Sequence, residues 1–271
     1  MANFDKTQVA ATVQDLIASE VQIVLNANVV AIPTVRNYSA PAGADKVSFP
    51  KIGKFTPAAV VDGVDITSQV ATVGVDELDL DQHFAIQATF TDKAKKQSNI
   101  NLVDEFMNQA GKDMALKMDQ YLIDALEGVV GTAYANATDL KKEDILAAKS
   151  SLGAANVPMS DRYLLISPAS ESSLLELDEF VSAEKIADGG ATLRNGMIGR
   201  IFGFDVLISS QAEDLKSLFY HKMAAVFGKQ IEPSIEYFRD TKKLSDLWSV
   251  SALWGAEIMQ GGSMIVKKGS V

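Results

Sequence analysis

The chain has 271 residues, 47% hydrophobic and 22% charged, which excludes a disordered polymer and leaves one large folded domain or two small ones. It has no cysteine and only two histidines, His83 and His221, which excludes disulfides, thiolate chemistry and a multi-histidine zinc site. The net charge of -10 argues against a tight grip on nucleic acid, which needs a basic footprint, and no apolar run is long enough for a membrane-spanning helix.

The amino terminus, Met1-Ala2-Asn3-Phe4-Asp5, lacks a basic stretch followed by an apolar one, so no secretory leader is visible and the sequon Asn136-Ala137-Thr138 carries no weight. Residues 7–27 repeat Val9, Val13, Leu16, Ile17 and Val24 at helical spacing, with Asn26 and Asn28 as stop residues. Val29 to Ile32 reads as a short strand ended by Pro33.

Residues 40–91 differ in texture. Proline and glycine recur at Pro41, Gly43, Pro50, Gly53, Pro57, Gly63 and Gly74. Between them lie β-type runs at Lys46–Phe49, Ala58–Val61 and Thr67–Val75, followed by polar–apolar alternation from Asp76 to Phe90. The pattern predicts a long hairpin of two or three strands. Residues 40–92 hold three lysines against eight acids, whereas residues 232–271 balance. The acid reads either as a solvated edge strand or as a projection with its own surroundings. A hairpin of this kind is marginal alone in water. Its Phe49, Ile52, Phe55, Val60, Val61, Ile66, Val70 and Val73 must therefore lie on the parent domain or on a neighbouring subunit.

The spacing of Val103, Phe106, Met107, Ala110, Met114, Met118, Tyr121, Leu122, Ala125 and Leu126 predicts one long helix over 99–128, stopped by Gly128 and Gly131. At ~1.5 Å per residue it is about 40 Å long and acts as a spine. Its methionines read as core filler. A second helix over 141–152 turns Ile145, Leu146, Ala148 and Leu152 inward and closes at Gly153. Asn156-Val157-Pro158 turns the chain into a buried strand, Tyr163–Ile166, and Ser167-Pro168 opens a helix. Residues 188–200 read as a glycine-rich loop. Further strands are predicted at Phe204–Ser209, Ile235–Phe238, Trp248–Leu253 and Ser263–Val266, and Leu218–Tyr220 and Ala224–Phe227 read as strands or a short helix. The order is α+β without regular βαβ winding.

Chemical motifs are missing. There is no phosphate-binding loop: Gly189 to Gly196 has glycines but no following lysine. No nucleophile elbow occurs. Glu77 to Asp81 imitates the start of a calcium loop, but Gln82 and Ala88 stand where glycine and glutamate are needed. Asp81 and His83 share a face by strand alternation alone. His221 reads as structural, and Asp178-Glu179 as helix surface. Nothing here makes an enzyme, and no cofactor is implied.

Several short motifs occur in a telling order. Thr89-Phe90-Thr91-Asp92 and Lys96-Gln97-Ser98 lead into the spine, which holds Met118-Asp119-Gln120-Tyr121-Leu122. Leu152 to Pro158, Arg162 to Pro168, Gly196 to Val206, Phe219 to Ala224 and Leu253-Trp254-Gly255-Ala256-Glu257 follow. Over nearly its whole length the chain resembles the major capsid protein of tailed bacteriophages, with the Hong Kong 97-like fold. The resemblance implies an amino-terminal arm (1–39), an extended loop reaching over an adjacent subunit (40–91), a peripheral domain (92–137 with 232–271) and an axial domain (138–231). It implies self-assembly of many copies, as pentamers and hexamers, into an icosahedral virion head. The head would be built in the host cytoplasm, which the absence of cysteine fits, and would enclose double-stranded DNA without sequence-specific binding. A portal and a separate scaffolding protein, rather than a fused one, are the further partners expected; no membrane is. The expected subunit contacts are Phe49, Phe55, Val60, Val61 and Ile66 on the hairpin, and Gly189, Gly190 and the residues through Arg194 on the axial loop. The alternatives are an encapsulin-like compartment and, from another class, a small hydrolase or binding domain.

Overall fold

The computed structural model describes residues 29–41, 43–53, 55–60, 62–63, 65, 68–98, 102–129, 132–134, 140–175, 199–214, 216–259 and 264–268. The helix read over 7–27, the Asp178-Glu179 pair and most of the loop read over 188–200 lie outside them.

The spine is the helix α2, Leu102–Glu127, preceded by a short α1, Asp92–Gln97. Its stripe of Met107, Ala110, Met114, Met118, Leu122 and Leu126 is buried as the spacing predicts. A four-stranded sheet lies along it, ordered β1 (Arg36–Ser39), β10 (Ala225–Asp240), β11 (Ser245–Ile258) and β4 (Gln82–Thr91). Phe84 stacks on Trp254 at 5.1 Å, and Phe90 meets Phe106 of α2 edge-on at 5.7 Å. A second sheet of six strands contains β5 (Thr132–Tyr134), β12 (Ile265–Lys268), β9 (Ser217–His221), β6 (Arg162–Ile166), β8 (Phe204–Ile208) and β7 (Arg200–Ile201), in that spatial order. The spine's core takes in Leu165, Leu218 and Tyr220 from this sheet. The sheet's other residues pack with the helices α3, Lys142–Ala154, and α4, Pro168–Leu175. The Ser167 hydroxyl caps α4, accepting from the Ser170 N–H at 3.3 Å. The two remaining strands, β2 (Lys46–Ile52) and β3 (Val73–Asp79), pair only with each other among the described residues and form a finger.

Local expectations and structure part at six places, the first being the β-type run read over Thr67–Val75, where residues 68–72 join no strand and β3 begins only at Val73. Val29 to Ile32 is not a strand: Pro33 opens a 3-10 turn, Ile32–Thr34, and the strand begins beyond it. Ala58 to Val60 joins no ladder; Pro57 has no N–H to give, and the Gln69 side chain takes both the N–H and the C=O of Thr56. Gly153 lies inside α3, and Asn156 (φ 57°) supplies the left-handed turn instead. Leu146 is 41% exposed rather than inward. Finally, the runs at Ala224–Phe227 and Ile235–Phe238 belong to one 16-residue strand, β10. Register shifts around Ile231 interrupt its alternation and disguise it as two.

Candidate assembly surfaces

The finger is held at its root by two glycines. Gly228 of β10 and Gly255 of β11 stand directly opposite one another. A Cβ on Gly228 would come within 2.6 Å of the Leu78 side chain, and one on Gly255 would overlap the Asp79 carbonyl oxygen. The missing side chain at Gly255 lets the finger's backbone cross here, and the one missing at Gly228 makes room for the Leu78 and Leu80 side chains. Leu78 and Leu80 bury completely or nearly so in the slot, with Ala40, Val226 and Met259. Leu80 N–H donates to Asp45 O (3.2 Å), Ala40 N–H to Lys229 O (2.8 Å), and the Gln230 amide to the carbonyls of Pro41 (3.1 Å) and Ala44 (2.7 Å). Sequence reasoning missed this clasp. Its signal was an isolated glycine in each of two β-type runs, Phe227-Gly228-Lys229 and Trp254-Gly255-Ala256.

Beyond the root the finger loses its cover. Phe55 is 55% exposed, Val60 67% and Val70 92%, and Ile52, Val73 and Val75 are exposed as well. An open hollow of about 610 Å³ lies between Lys51, Ile52 and Gly74 of the finger and the Asn156-Val157-Pro158 turn, so the finger is not closed onto its own chain there. Ion pairs staple its two strands: Lys46 to Glu77 (3.5 Å) and Asp79 (3.0 Å), and Lys51 to Asp76 (2.5 Å). The hydrogen bond to Asp79 chiefly raises the Lys46 pKa. Such exposed pairs add little stability but align the strands.

Phe49, Phe55 and Val60 are the sequence-predicted contact residues that can be located. Phe55 and Val60 project. Phe49 sits at the root, half-buried, edge-on to Tyr38 at 5.8 Å and beneath the Arg36 guanidinium at 5.7 Å. Val61, Ile66, Gly189, Gly190 and Arg194 lie outside the described residues.

At the far end of the four-stranded sheet an ionic clamp ties the β10–β11 hairpin to the start of α1. Arg239 grips Asp92 with two hydrogen bonds of 2.6 Å and Asp246 with one of 2.8 Å; Lys95 also pairs with Asp246, and Tyr237 OH donates to it at 3.0 Å. The Arg239 hydrogen bonds lower the Asp92 pKa. Burial opposes ionisation of Asp246, but hydrogen bonds from Lys95, Arg239 and Tyr237 outweigh it and hold its pKa below the usual range. Phe238 (65% exposed) and Leu244 (62%) stand at the hairpin's end; Leu244 keeps a left-handed φ of 47° and accepts from the Asp92 N–H at 3.0 Å.

The buried polar groups are structural ties. Asp119, on the buried side of α2, accepts from the backbone N–H groups of Ala31 (2.8 Å), Ile32 (3.2 Å) and Val30 (3.4 Å). Burial raises its pKa, and the three donors only partly offset this. Thr34 and Tyr220 share a 2.6 Å hydrogen bond beside it. Buried Arg162 donates to the carbonyls of Pro158 and Val157, both at 2.8 Å, and shapes the turn after α3. His221 Nδ1 accepts from the Met223 N–H at 3.1 Å, and burial lowers its pKa, so the ring stays neutral as a cap. Among the described residues no group of three or more His, Asp or Glu side chains could hold a metal ion.

The molecule therefore joins a closed core to a finger whose distal apolar side chains stay exposed. Its fold is the Hong Kong 97-like capsid fold. A chain of a structure of Mycobacterium phage Che8 matches it with a TM-score of 0.71 at 21% identity, over 84% of this chain and 86% of that one. The capsid of the cyanophage P-SCSP1u matches at 0.69 and 13% identity (88% and 86%). The virus-like particle from Pyrococcus furiosus matches at 0.64 and 12% (92% and 96%). No curated protein matches the chain in sequence. The phage capsid protein family matches residues 74–250, and the chain belongs to that family. It is a structural capsid protein of a bacteriophage, of a family that is not an enzyme family, and it assembles in many copies of itself.

Proposed function

We propose that the finger within residues 40–91 is the strap that joins each subunit to its neighbour. The observation that carries this is the contrast along one ribbon: a root clasped over Gly228 and Gly255, and distal apolar side chains in solvent. Fully burying a valine or phenylalanine is worth about 1.5–3 kcal/mol, so a neighbour that covers Phe55, Val60 and Val70 gains stability at every repeat of the shell. Many modest, symmetric interfaces then replace any single strong one.

In this reading residues 1–39 form the arm, 92–137 with 232–271 the peripheral domain and 138–231 the axial domain, whose 189–194 loop meets its equivalents in pentamers and hexamers. The head encloses double-stranded DNA. The net charge of -10 supports containment without a tight or sequence-specific grip. A portal and a separate scaffolding protein complete the assembly, which takes place in the host cytoplasm; it needs no disulfide, and the chain has no cysteine.

Removal of residues 51–72 tests the strap. The expected product is a folded subunit that sediments as small species and forms no shells in electron micrographs. Shells of normal size from that variant would overturn the reading.

A further inference from the structure

The chain passes between its two large sheets at His221. Strand β9 ends there in the six-stranded sheet, a 3-10 turn occupies Lys222–Ala224, and β10 begins at Ala225 in the four-stranded sheet. The return passage lies alongside. Strand β11 ends at Ile258 in the four-stranded sheet and β12 begins at Ile265 in the six-stranded one, and the His221 N–H donates to the Met264 carbonyl at 3.3 Å. One residue therefore touches both crossings.

Its ring closes the turn. The Met223 N–H donates to His221 Nδ1 at 3.1 Å, and His221 is only 4% exposed. A nitrogen that accepts carries no proton, so the neutral ring holds its proton on Nε2, which is buried as well. A second proton has to enter at Nδ1, where it turns the acceptor into a donor facing another donor. The Met223 N–H then loses its partner, and the turn loses the side chain that caps it. The Lys222 N–H, donating to the Asp161 carbonyl at 3.0 Å, ties the same turn to the start of β6.

The surroundings resist a charged ring. Burial is the largest influence against it, and Arg162 adds to that; Asp161 and the Ser160 backbone favour it. Arg162 is the register partner of His221 on β6, is buried itself, and spends its guanidinium on the carbonyls of Pro158 and Val157. On the other side, β12 sets Ile265 opposite Tyr220 and Lys267 opposite Leu218, back along β9 from the ring. Lys222, next in the chain, is exposed.

We propose that His221 is a proton-operated pin at the crossing: the neutral ring locks the 3-10 turn, and protonation at Nδ1 unlocks it and frees the six-stranded sheet to tilt against the four-stranded sheet and the spine. The pin acts inside one subunit and needs no neighbour, so it stands apart from the strap. The ring's pKa is held below 6.5, so its contribution is present in full above that pH and is lost as pH falls through the folded value, the reverse of Asp119.

Amide hydrogen exchange of the unassembled full-length chain, corrected for the intrinsic effect of pH on exchange, tests the pin. Between about pH 7.5 and about pH 5, the range in which histidine changes charge, protection of residues 222–224 should fall about five-fold or more, the change that loss of one buried hydrogen bond brings. The middle of β6, Leu164–Ile166, should keep its protection. His221→Asn retains an oxygen acceptor that takes no proton in this range, and should stay protected at both pH values. His221→Phe, with no acceptor, should be unprotected at both. Protection independent of pH in the unaltered chain, or lost equally in His221→Asn, would overturn the pin. Should His221→Asn fail to fold, the ring itself decides. The chain has two histidines, and a substitution at exposed His83, His83→Gln, assigns their NMR signals. The His221 signal should titrate below 6.5, in step with the loss of protection. A midpoint at or above 6.5, or a titration out of step with the exchange, would overturn the proposal.

Discussion

At the root of the finger Leu78 and Leu80 lie over paired glycines and are shut away from water, while Phe55, Val60 and Val70 of the same ribbon stand in solvent. Both halves carry the same kinds of side chain. What differs is whether the rest of the chain has a surface shaped to receive them. The root meets a slot without Cβ atoms, an open hollow lies beside the finger at Lys51–Gly53 and Gly74, and the side chains beyond it stand in solvent. Cover inside the subunit serves folding, and in the strap reading lack of cover serves association.

Substitutions should separate the two roles, and the largest loss of subunit stability belongs to the root. Gly255→Val places a side chain in the Asp79 backbone and should cost more than about 3 kcal/mol in urea unfolding. Gly228→Ala meets side-chain atoms of Leu78 and Leu80 rather than backbone and should cost less. A Gly255→Val subunit as stable as the parent would erase the distinction between root and tip.

A second anchored site should follow. Asp119→Ala leaves the N–H groups of Ala31 and Ile32 without an acceptor and should cost about 1–3 kcal/mol, whereas Asp119→Asn keeps an oxygen for them and should cost less. The pKa of Asp119 is raised in the fold, so the folded state holds the proton more tightly and stability falls as pH climbs from about 3.8 through the raised value. Asp119→Asn should abolish that decline in pH-dependent melts.

Asp246 should show the opposite slope. Its pKa is lowered, so its contribution is present above pH about 3.8 and disappears as acid drives the pH through the folded value. Asp246→Asn should release Arg239, lower stability near neutrality, where the ionised carboxylate contributes in full, and flatten the acid limb of the same melts, where that contribution is already lost.

The smallest effect on the subunit belongs to the tip. Phe55→Asp with Val60→Asp should shift unfolding by no more than about 0.5 kcal/mol, yet abolish shells. A marked loss of subunit stability would mean that the tip is anchored after all.

Much of this architecture was legible in the sequence. The stripe from Met107 to Leu126 repeats at helical spacing within one segment, and the Ser167-Pro168 cap is a local signal. The finger could be seen as a segment with more apolar side chains than it could shelter. Strand β10 could not be seen whole, because its bulges break the alternation that a sequence displays. The clasp at Gly228 and Gly255 was invisible for a different reason. Each glycine gains meaning only from the other and from Asp79, far away along the chain. Of the expected contact residues, Phe55 and Val60 project, while Phe49 turns back onto Tyr38.

The amino-acid order by itself determined the elements whose signal is local: the spine, the strand–cap–helix run from Arg162 to Leu175, the β-rich finger and its excess of acid. Tertiary structure alone decided which glycines form the clasp, which face of the four-stranded sheet stays bare and which apolar side chains remain uncovered. Periodicity states that a strand has two faces. Only pairing with distant strands settles which of them meets the spine and which faces away from it.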